Sequence, residues 1–203
     1  MKVIKSKAIA EFIGTFSLVF SGCGSIMILE RFENSIHPSS IPIIFGLVIS
    51  SMIYTVGHIS GAHFNPAVTL AFAITRHFPK REVLIYWFAQ FTGAFLAITL
   101  LSFLLPHGQN FGATLPHIEP FKAMIYEVIL SFFLMLVIIS VATDTRAVGM
   151  MAGMAIGGTV ALCAFIGGPI TGASMNPARS LAPNLFQGEI SSLWIYFAGP
   201  FLG

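Results

Sequence analysis

Long apolar runs, not short alternations, set the pattern of this chain. Five of them, about Ala8–Leu29, Ile41–Ile59, Val83–Leu105, Phe121–Ala142 and Val148–Gly167, have the length of a membrane span. A hydrocarbon core of about 30 Å takes about 20 apolar residues in a helix. A sixth run, LWIYFAGPFLG, begins at Leu193 and reaches Gly203. Its ten or so residues make about 15 Å of helix, so this span is expected to be truncated. Two more segments, Asn65–Thr75 and Asn176–Phe186, are apolar but only half as long. Each follows glycine-rich sequence, in GHISGAHFNPAVTLAF and GPITGASMNPARSLAP. They are predicted to be re-entrant half-helices.

The two halves repeat each other. AEFIGTFSLVF in the first span matches YEVILSFFLML in the fourth, which places Glu11 and Glu127 in equivalent positions. GAHFNPAVTLA matches GASMNPARSLA in the same way. Three spans per half is an odd number, so the second half is inverted relative to the first. The expectation is one transmembrane domain over 1–203, with repeats of about 7–105 and 120–203. Inverted repeats of this kind place functional sites near the midplane.

The repeated Asn-Pro-Ala core (Asn65, Pro66, Ala67 and Asn176, Pro177, Ala178) has a local physical meaning. Asn caps helix N-termini and Pro favours the first helical position. Two half-helices starting at the midplane bring two positive dipole ends together there. The carbonyls of Gly61, Ala62, His63, Gly172, Ala173 and Ser174 fall outside any helix. Irregular backbone at membrane depth is tolerated where it is buried in protein or lines water. These carbonyls are therefore expected to form an acceptor ladder along a pore, with the Asn amides as donors.

Glu11 and Glu127 sit inside spans, where a carboxylate costs about 2.5–3.5 kcal/mol on insertion scales and must face the bundle interior. Proton relay or ion binding is one reading. Their equivalence across the repeat favours structural support of the irregular backbone. His58 and His63 lack a third ligand in sequence, so no metal is expected; His63 is placed beside the pore and His58 in packing or hydrogen bonding.

Composition sets the class. Hydrophobic residues make up 56% of the 203 and charged residues only 9%, against about 25% charged in soluble domains. This is an integral membrane protein. Lys2, Lys5, Lys7, Arg76, Lys80, Arg81 and Arg146 fall on one side of the counted spans, and only Arg31 and Lys122 on the other. The excess predicts a cytoplasmic N-terminus. Cys23 and Cys163 lie in apolar runs and read as packing residues. No cleavable leader is evident at the N-terminus, so the first run is taken as a span.

With SGAHFNPAVT and SMNPARS in an inverted six-span frame, the chain resembles the major intrinsic proteins, the aquaporin and aquaglyceroporin channels, over essentially its whole length. YTVGHISGAHFNPAV and GPITGASMNPARSLAP are most similar to the nodulin-type branch and its bacterial relatives. The resemblance implies an all-α, aquaporin-like bundle of six transmembrane helices and two half-helices, assembled as a homotetramer with one pore per subunit. It also implies a selectivity filter at Phe45, Ala164, Ala173 and Arg179. Asn184 departs from the small apolar residue usual in this branch.

Arg179 supplies donors and a fixed charge, and Phe45 an aromatic wall. Ala164 and Ala173 are small where orthodox water channels resemble one another in carrying a histidine and a cysteine or similar residue. The implied aperture is wide, with an apolar side opposite the arginine. That suits water and small neutral solutes such as glycerol, urea, arsenous acid and boric acid. A passive channel excluding ions and protons follows, in a plasma (cell inner) membrane, with the lipid bilayer as surroundings, no cofactor and no nucleic-acid partner. The alternative within the family is a water-selective pore. Outside it stand an ion-coupled transporter using Glu11 or Glu127, and an intramembrane enzyme using His58, His63, Ser60 or Ser174.

Overall fold

The computed structural model describes residues 2–32, 35–105, 110–143 and 149–203, which form eight α-helices and two short 3-10 turns. Arg146 and Val148 lie outside the described residues. Five helices are long and apolar enough to cross a membrane: α1 (Lys2–Arg31), α2 (Ser40–Ser60), α4 (Val83–Leu104), α5 (Pro120–Thr143) and α6 (Ala152–Thr171). Two are half-helices, α3 (Pro66–Ile74) and α7 (Pro177–Gln187), and α8 covers Ile195–Leu202. The first run thus continues as helix past both of its apolar ends.

The half-helices form for the local reasons the Asn-Pro pairs suggest. Asn65 and Asn176 are extended (φ −152° and −153°), and each accepts the N–H two residues on, from Ala67 (2.9 Å) and Ala178 (3.0 Å). Proline at the next position starts the helix without wasting a donor. The preceding helices stop on glycines in the left-handed region. Gly61 (φ 86°) caps α2 by donating to Gly57 O, and Gly172 (φ 82°) caps α6 by donating to Gly168 O.

Packing depends on close backbone approach. Helices α2 and α6 cross at Gly46 and Gly157, where a methyl on either residue would collide with the carbonyl of the other. Ser50 Oγ donates to Gly153 O at 2.9 Å along the same seam. Helix α4 meets α1 at Gly93, whose added Cβ would stand 2.5 Å from Phe12 O. In lipid, where tails are as apolar as leucine, such small-residue seams hold helices together by dispersion. The ion pair of Lys7 Nζ with Glu82 (3.0 Å) sets the start of α1 beside the turn Lys80–Glu82 that begins α4.

The seam makes a quantitative expectation. Gly157→Ala should destabilise the folded protein by about 1–3 kcal/mol, as overpacking does. The neighbouring Gly158→Ala should be near neutral, since nothing stands within 4 Å of its added Cβ. Midpoints of thermal unfolding in detergent distinguish the two.

Candidate pore and constriction

Between α2 and α3, and again between α6 and α7, the chain leaves helical geometry and must satisfy its backbone in the interior of the bundle. Ala62, Phe64, Ala173 and Met175 all have positive φ, between 45° and 53°. Non-glycine residues in this region cost about 1–3 kcal/mol each and need a structure that holds them. Glu11 supplies that for the first half: its carboxylate accepts His63 N (2.9 Å) and Phe64 N (2.7 Å), and Gln90 Nε2 (2.8 Å). Glu127 does the same in the second half, accepting Ser174 N (3.0 Å), Met175 N (2.8 Å) and Thr171 Oγ1 (2.6 Å). Both glutamates are fully buried.

Two tyrosines close the helix ends in the same paired fashion. Tyr86 OH donates to Ser60 O (2.7 Å) and Tyr196 OH to Thr171 O (2.6 Å). Neither tyrosine was singled out from the sequence. The signal was present: they are separated by 110 residues, close to the offset of the Asn-Pro-Ala cores.

The half-helices are locked reciprocally. Asn65 Nδ2 donates to Met175 O (2.7 Å) and Asn176 Nδ2 to Phe64 O (2.9 Å). An amide nitrogen carries two hydrogens, so each Asn keeps one N–H with no acceptor among the described residues. Both asparagines line a cavity of about 560 Å³, as do Phe45, Ala164, Ala173 and Arg179. The four positions singled out for a filter are thus brought together on one lumen.

That lumen is lined on much of its length by Leu18, Ile49, Val68, Leu134, Ile138 and Val160. Gly61, Ala62, His63 and Ser174 also border it; Gly172 does not, being set against Thr114. The carbonyls of Gly61, Ala62, His63, Gly172, Ala173 and Ser174 accept no hydrogen bond from the described residues. Pro66, Ala67, Pro177 and Ala178 are buried behind the lumen as helix starts. His63 stacks among Phe72, Phe78 and Tyr86, with Nδ1 3.1 Å from Thr69 Oγ1. His58, expected in packing or hydrogen bonding, is exposed at the cavity wall instead.

Arg179 is buried, 3% exposed, and no carboxylate among the described residues lies within ion-pair distance. Its Nη1 donates to Gly112 O at 2.6 Å, and its guanidinium carbon sits 5.2 Å from the centroid of the Phe45 ring. The aromatic ring is therefore beside the cation, in cation–π contact. The expected separation of Phe45 from the arginine across the opening is thus not found. Gly22 makes room for that ring, since a Cβ there would overlap it. Sequence reasoning also missed Gly112 and Thr114, because a loop carbonyl carries no residue-type signature. Among the described residues, no group of three His, Cys, Asp or Glu is placed to hold a metal, and Cys23 and Cys163 are free and buried.

Comparison with known proteins gives the family of this chain. The family model described as Major intrinsic protein matches residues 1–203. Nodulin-26 of Glycine max is 50% identical over 198 residues, covering 97% of this chain and 73% of the relative. The putative aquaporin NIP4-1 of Arabidopsis thaliana is 49% identical over 201 residues, covering 98% and 71%. The X-ray structure of the aquaglyceroporin from Plasmodium falciparum superposes with a TM-score of 0.89 over 98% of this chain and 92% of that one, at 24% identity, and so speaks to the fold. The chain belongs to the major intrinsic protein family, in its nodulin-26-like branch, and is a multi-pass membrane channel of the aquaporin type, not an enzyme.

Proposed function

We propose that this channel conducts water and small neutral solutes of the glycerol and metalloid-hydroxide class, passively, while excluding ions and protons. The observation that carries the reading is the set of side chains at Phe45, Ala164, Ala173 and Arg179 on one cavity. Arg179 is held on the wall by Gly112 and Phe45, and the two remaining positions, Ala164 and Ala173, are methyl-sized. Such an aperture offers donors on one side and room on the other, which fits a polyol or a trihydroxide such as arsenous or boric acid.

A neutral solute exchanges its hydration for hydrogen bonds taken in turn: from Arg179, to the free carbonyls near Ala173 and Ser174, and from the spare N–H of Asn65 and Asn176. The apolar wall cannot replace an ion's hydration shell. Arg179 and the facing N-termini of α3 and α7 raise the potential at the midplane against cations. Glu11 and Glu127 are the buried carboxylates a coupled transporter would use. Each is committed to two backbone N–H groups and a side-chain donor. That favours support over ion coupling.

The wider arrangement follows from the same reading. We take 1–203 as one channel domain of inverted repeats, about 7–105 and 120–203, with a cytoplasmic N-terminus in a plasma membrane. Four copies assemble, each with its own pore.

Stopped-flow light scattering on proteoliposomes tests the solute range. Glycerol should enter well above the lipid background, and Ala164→His should lower glycerol flux by about tenfold while sparing water, because an imidazole narrows the opening and adds a polar group. Water flux without glycerol entry in the parent protein would reject the wide constriction. Glu11→Gln replaces an acceptor oxygen by a donor facing buried N–H groups, so it should destabilise by about 1–3 kcal/mol. Solute flux per folded channel should remain independent of an imposed proton gradient in both parent and variant; dependence in the parent that Glu11→Gln abolishes would establish coupling.

A further inference from the structure

We infer that Asn184 is a positioning residue for Arg179, and through it sets how the constriction discriminates between solutes. This rests on the solute reading above. Asn184 is fully buried on α7, one turn and more beyond Arg179, and does not line the lumen. Its side chain grips the backbone of Thr114 from both sides. Oδ1 accepts Thr114 N (2.9 Å), and Nδ2 donates to Thr114 O (2.9 Å) and to Glu189 O (3.2 Å). Thr114 Oγ1 donates within reach of the same Asn184 Oδ1 (3.2 Å) and of Ser180 Oγ (2.7 Å), which in turn bonds Ser174 Oγ.

Two residues before Thr114 stands Gly112, the acceptor for Arg179. On its other side, Phe111 N donates to Gln187 Oε1 (3.1 Å), again from α7. The carbonyl that holds the arginine is thus bracketed by two amide side chains of the helix that carries the arginine. Gly112 itself is in the left-handed region (φ 75°) and packed so that a Cβ would meet Cys23. Arg179 Nε has no partner among the described residues. The guanidinium therefore takes its place from the Gly112 carbonyl and the Phe45 ring.

An apolar residue at 184 leaves the buried N–H and C=O of Thr114 without partners. Such groups do not stay unpaired at membrane depth. The segment around Gly112 must then shift to satisfy them, and the carbonyl shifts with it. A guanidinium released from the wall hangs into the lumen, and larger solutes feel this before water does.

The test is a double-mutant cycle in proteoliposomes, with Asn184→Ala made in the parent and in an Arg179→Ala background. Asn184→Ala in the parent should lower the glycerol-to-water flux ratio by about fivefold, and in the Arg179→Ala background should leave the ratio nearly unchanged, as sites acting through one another do. A fall in thermal midpoint with the ratio unaltered in the parent would overturn the inference and leave Asn184 as a structural residue only. Equal shifts in both backgrounds would overturn it too. If Asn184→Ala fails to assemble, Asn184→Ser replaces it, being too short to span both backbone groups of Thr114. If the parent passes water but no glycerol, the solute reading fails by itself, and the same cycle is scored on water flux per channel, where coupling between the two positions still decides the role of Asn184.

Discussion

Backbone that leaves a helix in the middle of a membrane has no water to bond with, and much of this structure serves that constraint. Glu11 and Glu127 each take two consecutive N–H groups from the strained turns before the half-helices. Those bonds hold four non-glycine residues in left-handed geometry. They also explain why two carboxylates are kept in apolar spans at appreciable cost. With the N–H groups turned inward to the glutamates, the carbonyls of the same turns are left for the lumen. The reciprocal bonds of Asn65 and Asn176 then fix the distance between the two half-helix starts.

On this paired frame the two ends of the pore are made different. The position three residues after Asn65 is Val68; after Asn176 it is Arg179. His63 bonds Thr69 in the first half, where Ser174 bonds Ser180 in the second. Ala73 of α3 corresponds in the same offset to Asn184 of α7. The exchanges of Val68 for Arg179 and of Ala73 for Asn184 each add a polar group in the second half. Together they tie α7 to the segment 110–116 and bring a carbonyl to the arginine. The first half instead closes His63 within a cluster of Phe72, Phe78 and Tyr86. A bare positive charge in the lumen is tolerable because Arg179 keeps one strong backbone bond and an aromatic face.

Selective passage needs both rigidity and unfinished bonding. Groups that hold the pore open are fully paired: the glutamates, the tyrosines and the cap oxygens of the asparagines. Groups left with capacity are those at the lumen, namely one N–H on each Asn and the carbonyls near Ala62 and Ala173. Small-residue seams at Gly46–Gly157 and Gly93 pack the long helices closely enough to keep that division in register. A slip of one residue along either seam would place side chains where backbone now meets backbone.

Much of this was legible along the chain. Span lengths follow from bilayer thickness, and the half-helices follow from Asn-Pro after glycine in half-length apolar runs. Such signals are local, so they survive without a structure. Pairwise matching of the halves also picked out Glu11 and Glu127, since a buried carboxylate must have partners and repeated placement suggests repeated partners. Other features required the fold. Nothing in the residue types of 110–116 marks Gly112 O as the acceptor for Arg179, because every residue has a carbonyl and only tertiary geometry selects one. Asn184 stood out as a departure, yet its role emerged only when α7 and Thr114 were brought into contact. Phe45 was found by position in α2, while its place beside the arginine was decided by where α1, at Gly22, left space for the ring.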